Sequence, residues 1–504
     1  METRGADVVA RYDRHAVFVC GYHEPLRSTI LPLAKALRAA ARPLQPLVVL
    51  EDDTMGRMQR ACDAADVVWR PFSDRTSRLP RAAAPAQARR SHRSAASDRR
   101  AGPRSDRDGA LRRVVRFAST LWKLQRQIRL RIALLRQSRA AVLVLLDDRT
   151  LTGCRWIRAA QQLAVPVVVV QWAATHRAAV MAALRAAQQD RQPTNGWVSR
   201  LERLVANRVP QAVQVLDQRR VWWIPPEVTL AYHLMGAYPK TNPWTFGGGN
   251  ADVVTVLGAA WKERFAQDGV TARKLVVTGH PEQDDWYRLA RRWDDRRSRV
   301  IARDLGLAVE SRIVTVIAPA MVLREPGGAR QHDIPLADLQ ADLQRVVEAI
   351  CDQGEPYAAV VKVHPRDRVE PLSALFGRNP GPLRIVGDYP LHRLIAASAA
   401  MACQWSTAAM IGQALGVPVL VFDFHGSPSA DLWKGVAGLH HAQSVEQFRT
   451  MLRRCLADGS GRAEFLAGQS RFVDQYLCLD GRARGRIAAL IEQLVDKPPA
   501  APYR

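Results

Sequence analysis

The stretch AMACQWSTAAMIGQALGVPVLVF, residues 400–422, contains a complete strand–turn–helix–strand unit. An apolar run reaches Ser406 and Thr407, an alanine-rich segment follows, and Gly416 with Pro418 ends it before a second apolar run. A strand that turns into a helix at Ser-Thr presents unpaired backbone N–H groups, two hydroxyls and the positive end of a helix dipole. The stretch therefore predicts a β-α-β unit whose turn suits a diphosphate. The alternative is a Ser-Thr pair that only caps the helix.

Two other predicted strands end in polar residues at the equivalent position. The run VVKVHPRD, residues 360–367, supplies Lys362, His364 and Arg366, and Asp388 follows the run LRIVG. In a parallel sheet the carboxyl ends of the strands lie at one edge, where ligands bind. Taken singly, each residue is typical of an ordinary loop or turn. Together with the Ser-Thr turn, they predict a site for an anionic ligand.

Predicted strands and helices alternate along most of the chain, which is typical of parallel sheets covered by helices. At 504 residues the chain exceeds the size that one hydrophobic core comfortably supports. We therefore expect an α/β fold of two Rossmann-like, doubly wound domains that face a cleft. The expected limits are an N-terminal domain over residues 1–285, a C-terminal domain over 286–475, and a C-terminal helix and tail over 476–504.

A basic insertion over about residues 73–140 interrupts the first domain. The formal net charge is +25, and residues 75–139 hold nineteen Lys and Arg against three Asp. Residues 73–109 lack periodicity and predict disorder, whereas residues 110–140 predict a long basic amphipathic helix. Such a helix can lie on an anionic membrane surface or pack against its own domain. No nucleic-acid-binding motif accompanies the charge, so we expect no nucleic-acid partner.

The cysteines and the N-terminus indicate the compartment. The seven cysteines are scattered without a CxxC pair, which argues against a zinc site or a disulfide framework. The N-terminus lacks the charged-then-apolar order of a signal peptide, and no window approaches twenty apolar residues. These features predict a cytoplasmic protein, with peripheral attachment at the inner face of the membrane as an option.

Several blocks resemble a known superfamily. KVHPRD (362–367) and GDYPLHRLIAASAAMACQWSTAAMIGQALGVPVLVF (387–422) resemble the C-terminal half of GT-B-fold nucleotide-sugar enzymes. The closest resemblance is to bacterial surface- and capsule-polysaccharide glycosyltransferases, which are related to UDP-N-acetylglucosamine 2-epimerases and CDP-glycerol glycerophosphotransferases. Residues 247–284 are similar to the segment that ends in a TGxPxxD-like turn, here Thr278 to Asp284. The resemblance covers residues 140–175 weakly and 245–425 more clearly.

The resemblance implies roles for the marked residues. His364 is expected to face a nucleotide diphosphate, and Ser406 and Thr407 to bind it through hydroxyls and helix N–H groups. His280, in the turn on the hinge side, is expected near the cleft. The first domain then holds the acceptor and the second domain holds the nucleotide sugar.

The sequence also departs from the pattern. Many relatives carry a Glu in the helix after Ser-Thr, where Ile411 stands here. The His-Arg-Arg-Glu-Asn motif of the epimerases is replaced by APAMVLREPGGARQHD, residues 318–333, and the Asp-Tyr-Ser-Ser signature of the CDP-glycerol enzymes by CQWSTAAM, residues 403–410. Two alternatives therefore stay open: an epimerase-like enzyme, and a non-catalytic scaffold subunit of the assembly machinery.

The hypothesis is glycosyl transfer from a UDP-, GDP- or CMP-linked sugar to a polysaccharide or lipid-linked acceptor, with no metal or other cofactor. Fixed donors around the diphosphate would stabilise the charge that grows as the sugar bond breaks. A base from the first domain would deprotonate the acceptor. His23 is the first candidate, with Asp147 and Asp148 behind it; a surface His or turn Asp is the ordinary alternative for each.

Overall fold

The computed structural model describes residues 14–40, 44–51, 56–72, 106–175, 197–216, 219–319, 334–365, 367–377, 382–427, 430–457 and 459–496. It also describes residues 177, 180, 181 and 184. Two of the predictions fall outside these ranges. They are the disorder predicted for most of residues 73–109 and the ligand role predicted for Arg366.

A seven-stranded parallel sheet organises the first unit. Its strand order is β3-β2-β1-β4-β5-β8-β9, the order of a doubly wound sheet. Its strands are nearly continuous apolar runs because helices cover both faces. Their bounds are β1 His15–Cys20, β2 Gln45–Glu51, β3 Val68–Phe72, β4 Ala140–Leu145, β5 Val167–Val170, β8 Val253–Val256 and β9 Leu275–Val277. A separate antiparallel hairpin consists of β6 Val213–Leu216 and β7 Arg219–Trp222.

A six-stranded parallel sheet organises the second unit, in the order β12-β11-β10-β13-β14-β15. Its strands are β10 Arg312–Ile317, β11 Tyr357–Lys362, β12 Leu383–Val386, β13 Ser398–Cys403, β14 Val419–Phe422 and β15 Leu439–Ala442. The predicted α/β class with two doubly wound sheets is confirmed. The exact domain limits stay predictions.

Helices connect the strands. A short turn, His23–Pro25, and a π-helix, Leu26–Ile30, follow β1 and lead into the first α-helix. In chain order the helices are α1 Leu31–Arg38, α2 Arg57–Ala64, α3 Asp106–Gln137, α4 Leu151–Gln162, α5 Trp197–Arg208, α6 Pro226–Leu234, α7 Ala259–Gln267, α8 Gln283–Arg292, α9 Asp295–Asp304, α10 Leu336–Cys351, α11 Val369–Phe376, α12 Leu391–Ala396, α13 Ala408–Ala414, α14 Val445–Leu456, α15 Ser460–Leu466, α16 Gln469–Tyr476 and α17 Ala483–Asp496.

The long basic helix predicted from the sequence is α3, and it packs against α4 and α6 of its own unit. Its inner face buries Leu124, Ile128, Leu135 and, unexpectedly, Arg131. The opposite face is exposed to solvent. Among the residues that the structure describes, no helix has both the length and the apolar character needed to cross a membrane.

Arg131 is held by one carboxylate and two rings. Its Nη2 donates to Glu51 Oε1 at 2.9 Å, and its guanidinium lies over Phe72 and Trp156, 4.5 and 5.0 Å from the ring centroids. Trp156 Nε1 donates to the same Glu51 oxygen at 2.8 Å. Burial lowers the pKa of Arg131 to about 10, against the opposing effect of Glu51. The basic helix is therefore fixed to the sheet partly by a buried charge pair.

The C-terminal segment returns to the first unit. Ile487, Ala488 and Ile491 of α17 join the hydrophobic cluster around β1, β2 and α1. The carboxylate of Asp284, in α8, accepts hydrogen bonds from the first two N–H groups of α17, Ala483 N at 2.8 Å and Arg484 N at 3.1 Å. An anion at this position stabilises the helix start. The TGxPxxD-like turn therefore anchors the end of the chain.

Aromatic packing joins the two units. Trp261 of α7 meets Trp433 edge-on at 6.2 Å and Tyr476 at 5.8 Å between ring centroids. A Cβ atom on Gly258 would lie 2.3 Å from the carbonyl carbon of Tyr476, so only glycine allows this approach. One continuous apolar cluster therefore runs from the first sheet into the second unit.

We expect Arg131→Ala to lower the free energy of unfolding by about 3 kcal/mol, because it removes one partner of a largely buried charge pair. Urea denaturation followed by circular dichroism measures the effect. The matched control is Arg129→Ala on the exposed face of the same helix, which should change stability by less than about 0.5 kcal/mol. Equal effects of the two variants would contradict the structural role of Arg131.

Candidate functional site

The carboxyl edge of the second sheet carries the predicted anion-binding residues. His364 follows β11 and Ser406 follows β13, and both strands pair with β10 between them. Since neighbouring strands lie about 4.8 Å apart, these two turns are separated by about 10 Å of sheet. The structure thus places them on the same edge, as the sequence predicts. Asp388 follows β12 at this edge and is exposed.

Both hydroxyls of the Ser-Thr turn accept hydrogen bonds from backbone N–H groups. Ser406 Oγ accepts from Ala408 N at 3.1 Å, within the turn itself. Thr407 Oγ1 accepts from Ala174 N at 3.3 Å, and Ala174 follows β5 of the first unit. Ile411, which stands where many relatives carry Glu, is buried in α13. The turn therefore connects the carboxyl edges of the two sheets.

Lys362, the last residue of β11, is buried and oriented by backbone oxygens. Its Nζ donates to the carbonyl oxygens of Val363, at 3.2 Å, and Gly387. Burial lowers the pKa of Lys362, while Asp388 and Glu24 raise it in opposition. Glu24 comes from the turn after β1, so the charge of a carboxylate in the first unit acts on a lysine of the second.

His280 lies at the carboxyl end of β9 and is almost fully buried. Its Nδ1 accepts from Glu282 N at 3.3 Å, which makes Nε2 the protonated nitrogen that donates to Thr29 Oγ1 at 2.7 Å. Burial and then the charge of Arg484 lower the pKa of His280 to about 3. The neutral ring thus joins the turn after β9 to the helix after β1.

Asp147 and Asp148 follow β4, and protein groups already bind both carboxylates. Asp147 accepts from Arg149 N at 2.6 Å and Arg149 Nη2 at 2.8 Å. Burial alone would raise the pKa of Asp147, but Arg149 outweighs it and lowers the pKa. Asp148 is fully buried and accepts from Gly247 N at 3.2 Å and Gly249 N at 2.8 Å. Burial, then Asp147, raises the pKa of Asp148 to about 6.

Close packing fixes the position of Asp148. A Cβ atom on Gly249 would lie 2.1 Å from the Asp148 carbonyl oxygen, so the residue at 249 must be glycine. His23 is partly exposed at the start of the turn after β1 and lines a surface groove beside α2. The role of these three residues as the base stays a prediction.

Two carboxylates at the facing edges were not singled out by the sequence analysis. They are Glu24 and Glu282, each close in sequence to a His that was, in the runs GYHEP and TGHPEQD. Burial, followed by the carboxylates of Glu24 and Asp285, raises the pKa of Glu282 to about 7. A carboxyl group with such a pKa can give or take a proton near neutral pH. The sequence signal that could have found these two carboxylates is their position next to His23 and two residues after His280.

The described part of the chain offers no arrangement of three or more His, Cys, Asp or Glu side chains that could hold a metal ion.

Glu282 gives the stability of the protein a predictable pH dependence. Its folded pKa of about 7 exceeds the ordinary value of 4.5, so the folded protein binds this proton more tightly than the unfolded chain. The resulting stabilisation is fully present below pH 4.5 and is lost progressively as the pH rises from 4.5 through 7. We expect Glu282→Gln to match the wild type at pH 4 and to be more stable at pH 8 by about 2 kcal/mol, allowing for partial exposure.

Urea denaturation at the two pH values measures this difference. Glu263→Gln, on the exposed side of α7, is the matched control and should show no such divergence. If the free energies of unfolding of the wild type and Glu282→Gln change identically with pH, the raised pKa assigned to Glu282 is wrong.

No protein-family model matches this chain, and no curated protein shows a significant match to it. Solved structures do match. Staphylococcus aureus MnaA in complex with UDP shares 13% identity with a TM-score of 0.52, over 97% of this chain and 99% of that one.

Two further solved structures have the same architecture. A putative UDP-N-acetylglucosamine 2-epimerase from Listeria monocytogenes shares 14% identity with a TM-score of 0.53, over 98% and 99% of the two chains. A glycosyltransferase from Rickettsia africae shares 10% identity with a TM-score of 0.51, over 97% and 100%. At these identities the likeness establishes the fold. The chain therefore has the GT-B-like arrangement of two Rossmann-like domains that the sequence predicts.

Proposed function

We propose that this protein is a glycosyltransferase that moves a sugar from a nucleotide-sugar donor to an acceptor in cell-surface polysaccharide biosynthesis. One observation carries the proposal. The carboxyl edges of the two sheets meet where Thr407 Oγ1 accepts a hydrogen bond from Ala174 N at 3.3 Å, and the charge of Glu24 in the first unit acts on Lys362 in the second. Ligands of open parallel sheets bind at these edges, so a donor on one edge and an acceptor on the other would be brought together. Solved structures of this fold include enzymes bound to UDP and to UDP-GlcNAc.

In this proposal the second unit binds the donor. Lys362, His364 and Arg366 provide positive charge or hydrogen-bond donors, and the turn at Ser406 and Thr407 provides hydroxyl and backbone groups. Hydrogen bonds hold Lys362 and the Ser-Thr turn in place before the reaction, so these groups would stabilise the charge that develops on the departing diphosphate. The negative charge of Asp388 acts on Lys362 and reduces the net positive charge at this edge. The reaction is proposed to use no metal.

The first unit would then supply the acceptor side and the base. His23, Asp147 and Asp148 remain the candidates named from the sequence. Glu282 joins them because its raised pKa suits proton transfer near neutrality. His280 is better suited to positioning, since its buried ring holds the turn of Glu282 against Thr29.

The outer face of α3 would hold the enzyme at the cytoplasmic surface of a membrane. Val115, Trp122 and Leu130 are exposed by 60%, 59% and 39%. Arg126 lies 5.6 Å from the Trp122 ring centroid and is exposed, as is Arg129. Aromatic and apolar side chains interleaved with arginines match an anionic lipid surface. Such attachment would bring the site to a lipid-linked acceptor.

The donor site is tested by calorimetry with UDP, GDP and CMP on the wild type, His364→Ala and Ser406→Ala. One of the nucleotides is expected to bind, and each variant should weaken it about tenfold, the size expected for losing one hydrogen bond to a charged group. His233→Ala in the first unit should bind like the wild type. Both site variants binding like the wild type would show that the site assignment is wrong, and no binding to any nucleotide would favour a scaffold protein.

Incubation with UDP-N-acetylglucosamine alone separates transfer from epimerisation. A transferase leaves the configuration of the sugar unchanged without an acceptor. Inversion at the sugar C2, followed by NMR, would assign the protein to epimerase chemistry instead.

The membrane surface is tested by co-sedimentation with vesicles of phosphatidylglycerol and phosphatidylcholine. Trp122→Ala combined with Arg126→Glu should weaken binding to the anionic vesicles about tenfold, because each basic residue near such a surface contributes about 1 kcal/mol. The control, Val300→Ala combined with Arg296→Glu, shortens an exposed apolar side chain and reverses an exposed arginine four residues apart on α9, and it should have little effect. Equal losses for the two double variants would contradict a surface on α3.

A further inference from the structure

The side-chain amide of Gln404 is buried at the carboxyl edge of the second sheet without a hydrogen-bond partner. Gln404 directly follows β13 and is 2% exposed. Neither its Oε1 nor its Nε2 forms a hydrogen bond with any residue that the structure describes. Buried polar groups are almost always paired, because an amide that leaves water without finding a partner destabilises the folded state. A ligand that pairs with the amide would explain why it is kept there.

A histidine–aspartate pair crosses the sheet edge beside Gln404. His425 lies in the turn after β14, and its Nε2 is 2.9 Å from Asp342 Oδ2 in α10. Helix α10 packs over β11, and β13 lies between β11 and β14 in the sheet. The pair therefore spans the end of β13, where Gln404 lies.

The amide and this pair lie on the same face of the sheet. Ala402, two residues before Gln404, belongs to the apolar cluster that also contains Leu343 of α10 and Phe422 of β14. Side chains two residues apart on a strand point to the same face, which places Gln404 on the α10 side. The three polar side chains are therefore gathered at the end of β13.

Asp342 holds His425 in position. The Asp342 carboxylate is fully buried, and the other cation near it, Arg345, is 3.6 Å away with its side chain 53% exposed. A buried carboxylate without a partner is costly, so Asp342 keeps the imidazole against α10. The His425 side chain is 32% exposed, so a ligand at this edge would meet His425 first.

The two unpaired atoms of the amide define the chemistry of a complementary ligand. Oε1 accepts a hydrogen bond and Nε2 donates two, so the ligand must offer both a donor and an acceptor. A phosphate offers only acceptors, whereas a hydroxyl group offers both. Ser406 lies two residues beyond Gln404, so their Cα atoms are at most about 7 Å apart. In a nucleotide sugar the hydroxyl groups next to the phosphates belong to the ribose and to the transferred sugar.

We infer that Gln404 and His425 bind a hydroxyl-bearing ring of the nucleotide-sugar donor, next to its phosphates. This inference rests on the proposed function and names the part of the donor, other than the phosphates, that the second unit recognises. Gln404 supplies a neutral donor and acceptor, and His425 closes the site from the β14 side. Asp342 is a positioning residue that acts through His425.

Calorimetry on the wild type and two variants tests the inference. The probes are UDP, GDP, CMP, UDP-N-acetylglucosamine, GDP-mannose and CMP-N-acetylneuraminate. The variants are Gln404→Met and His425→Ala, the latter combined with Asp342→Asn so that no buried charge is left unpaired. Each should weaken the probe that the wild type binds by about tenfold, the size expected for losing one hydrogen bond. Loss with the free nucleotide assigns the ribose to Gln404, and loss only with the sugar-linked form assigns the transferred sugar.

The matched control is Gln344→Met in α10 of the same unit. Gln344 Nε2 donates to Leu375 O at 2.9 Å, so this glutamine has its partner within the protein. Gln344→Met should bind every probe like the wild type.

Thermal unfolding of the free protein separates a ligand-binding amide from a structural one. Gln404→Met replaces an unpaired buried amide by an apolar side chain of similar shape, so it should raise the melting temperature by about 2 °C. Gln344→Met breaks a hydrogen bond and should not raise it. A lower melting temperature of Gln404→Met together with unchanged ligand binding would make the glutamine structural and overturn the inference.

The donor-site variant His364→Ala separates this inference from the proposed function. If His364→Ala loses nucleotide binding while the variants of Gln404 and His425 bind every probe like the wild type, the donor site stands and this inference is wrong. Equal loss of inorganic pyrophosphate and of nucleotide in Gln404→Met would place the amide against phosphate and reject a hydroxyl ligand. No binding of any probe to the wild type would overturn the donor site and this inference together.

Discussion

The carboxylate of Asp284 joins the C-terminal helix α17 to the turns at the carboxyl edge of the first sheet. It is 2% exposed and accepts the first two N–H groups of α17. Asp284 lies directly after the turn that holds His280 and Glu282, and α17 packs against α1, which continues from the turn of His23 and Glu24. One charged hydrogen-bond pair therefore connects the C-terminal helix to two of the turns that form the edge of the first sheet. Loss of this anchor would affect the site without touching any residue that faces a ligand.

The carboxyl edges of the two sheets carry two kinds of polar group. Asp147, Asp148, His280 and Lys362 are buried or partly buried, and protein atoms satisfy most of their hydrogen-bonding capacity. Such groups hold the backbone turns in place. Glu24 and Asp388, by contrast, are exposed to solvent. Glu282 stands between the two kinds, since it is partly buried yet has a pKa close to neutrality.

Local sequence patterns predicted the parts of the fold that depend on neighbouring residues. The stretch of residues 400–422 forms β13, the Ser-Thr turn, α13 and β14 as expected, because strand and helix periodicity and the Gly and Pro signals are all local. The turns that the sequence predicts to bind an anion lie on one edge because parallel strands must end there. The cytoplasmic location and the ligand roles remain predictions that need experiments.

Features that depend on distant partners could not be predicted from the sequence. In the sequence Arg131 cannot be distinguished from the other basic residues of α3. Its burial depends on the carboxylate of Glu51, eighty residues earlier. The raised pKa of Glu282 depends first on burial and then on the charge of Glu24, which lies near the other end of the first unit in sequence.

The return of α17 to the first sheet has a consequence for how the protein can be divided. An excised fragment that stops after β9 would lack Ile487, Ala488 and Ile491, which fill the cluster around β1 and α1. It would expose the apolar surface that these side chains cover and would leave Asp284 without its helix. The two units are thus not separable at the junction of their sheets, and a stable first unit would have to carry the C-terminal helix as a graft.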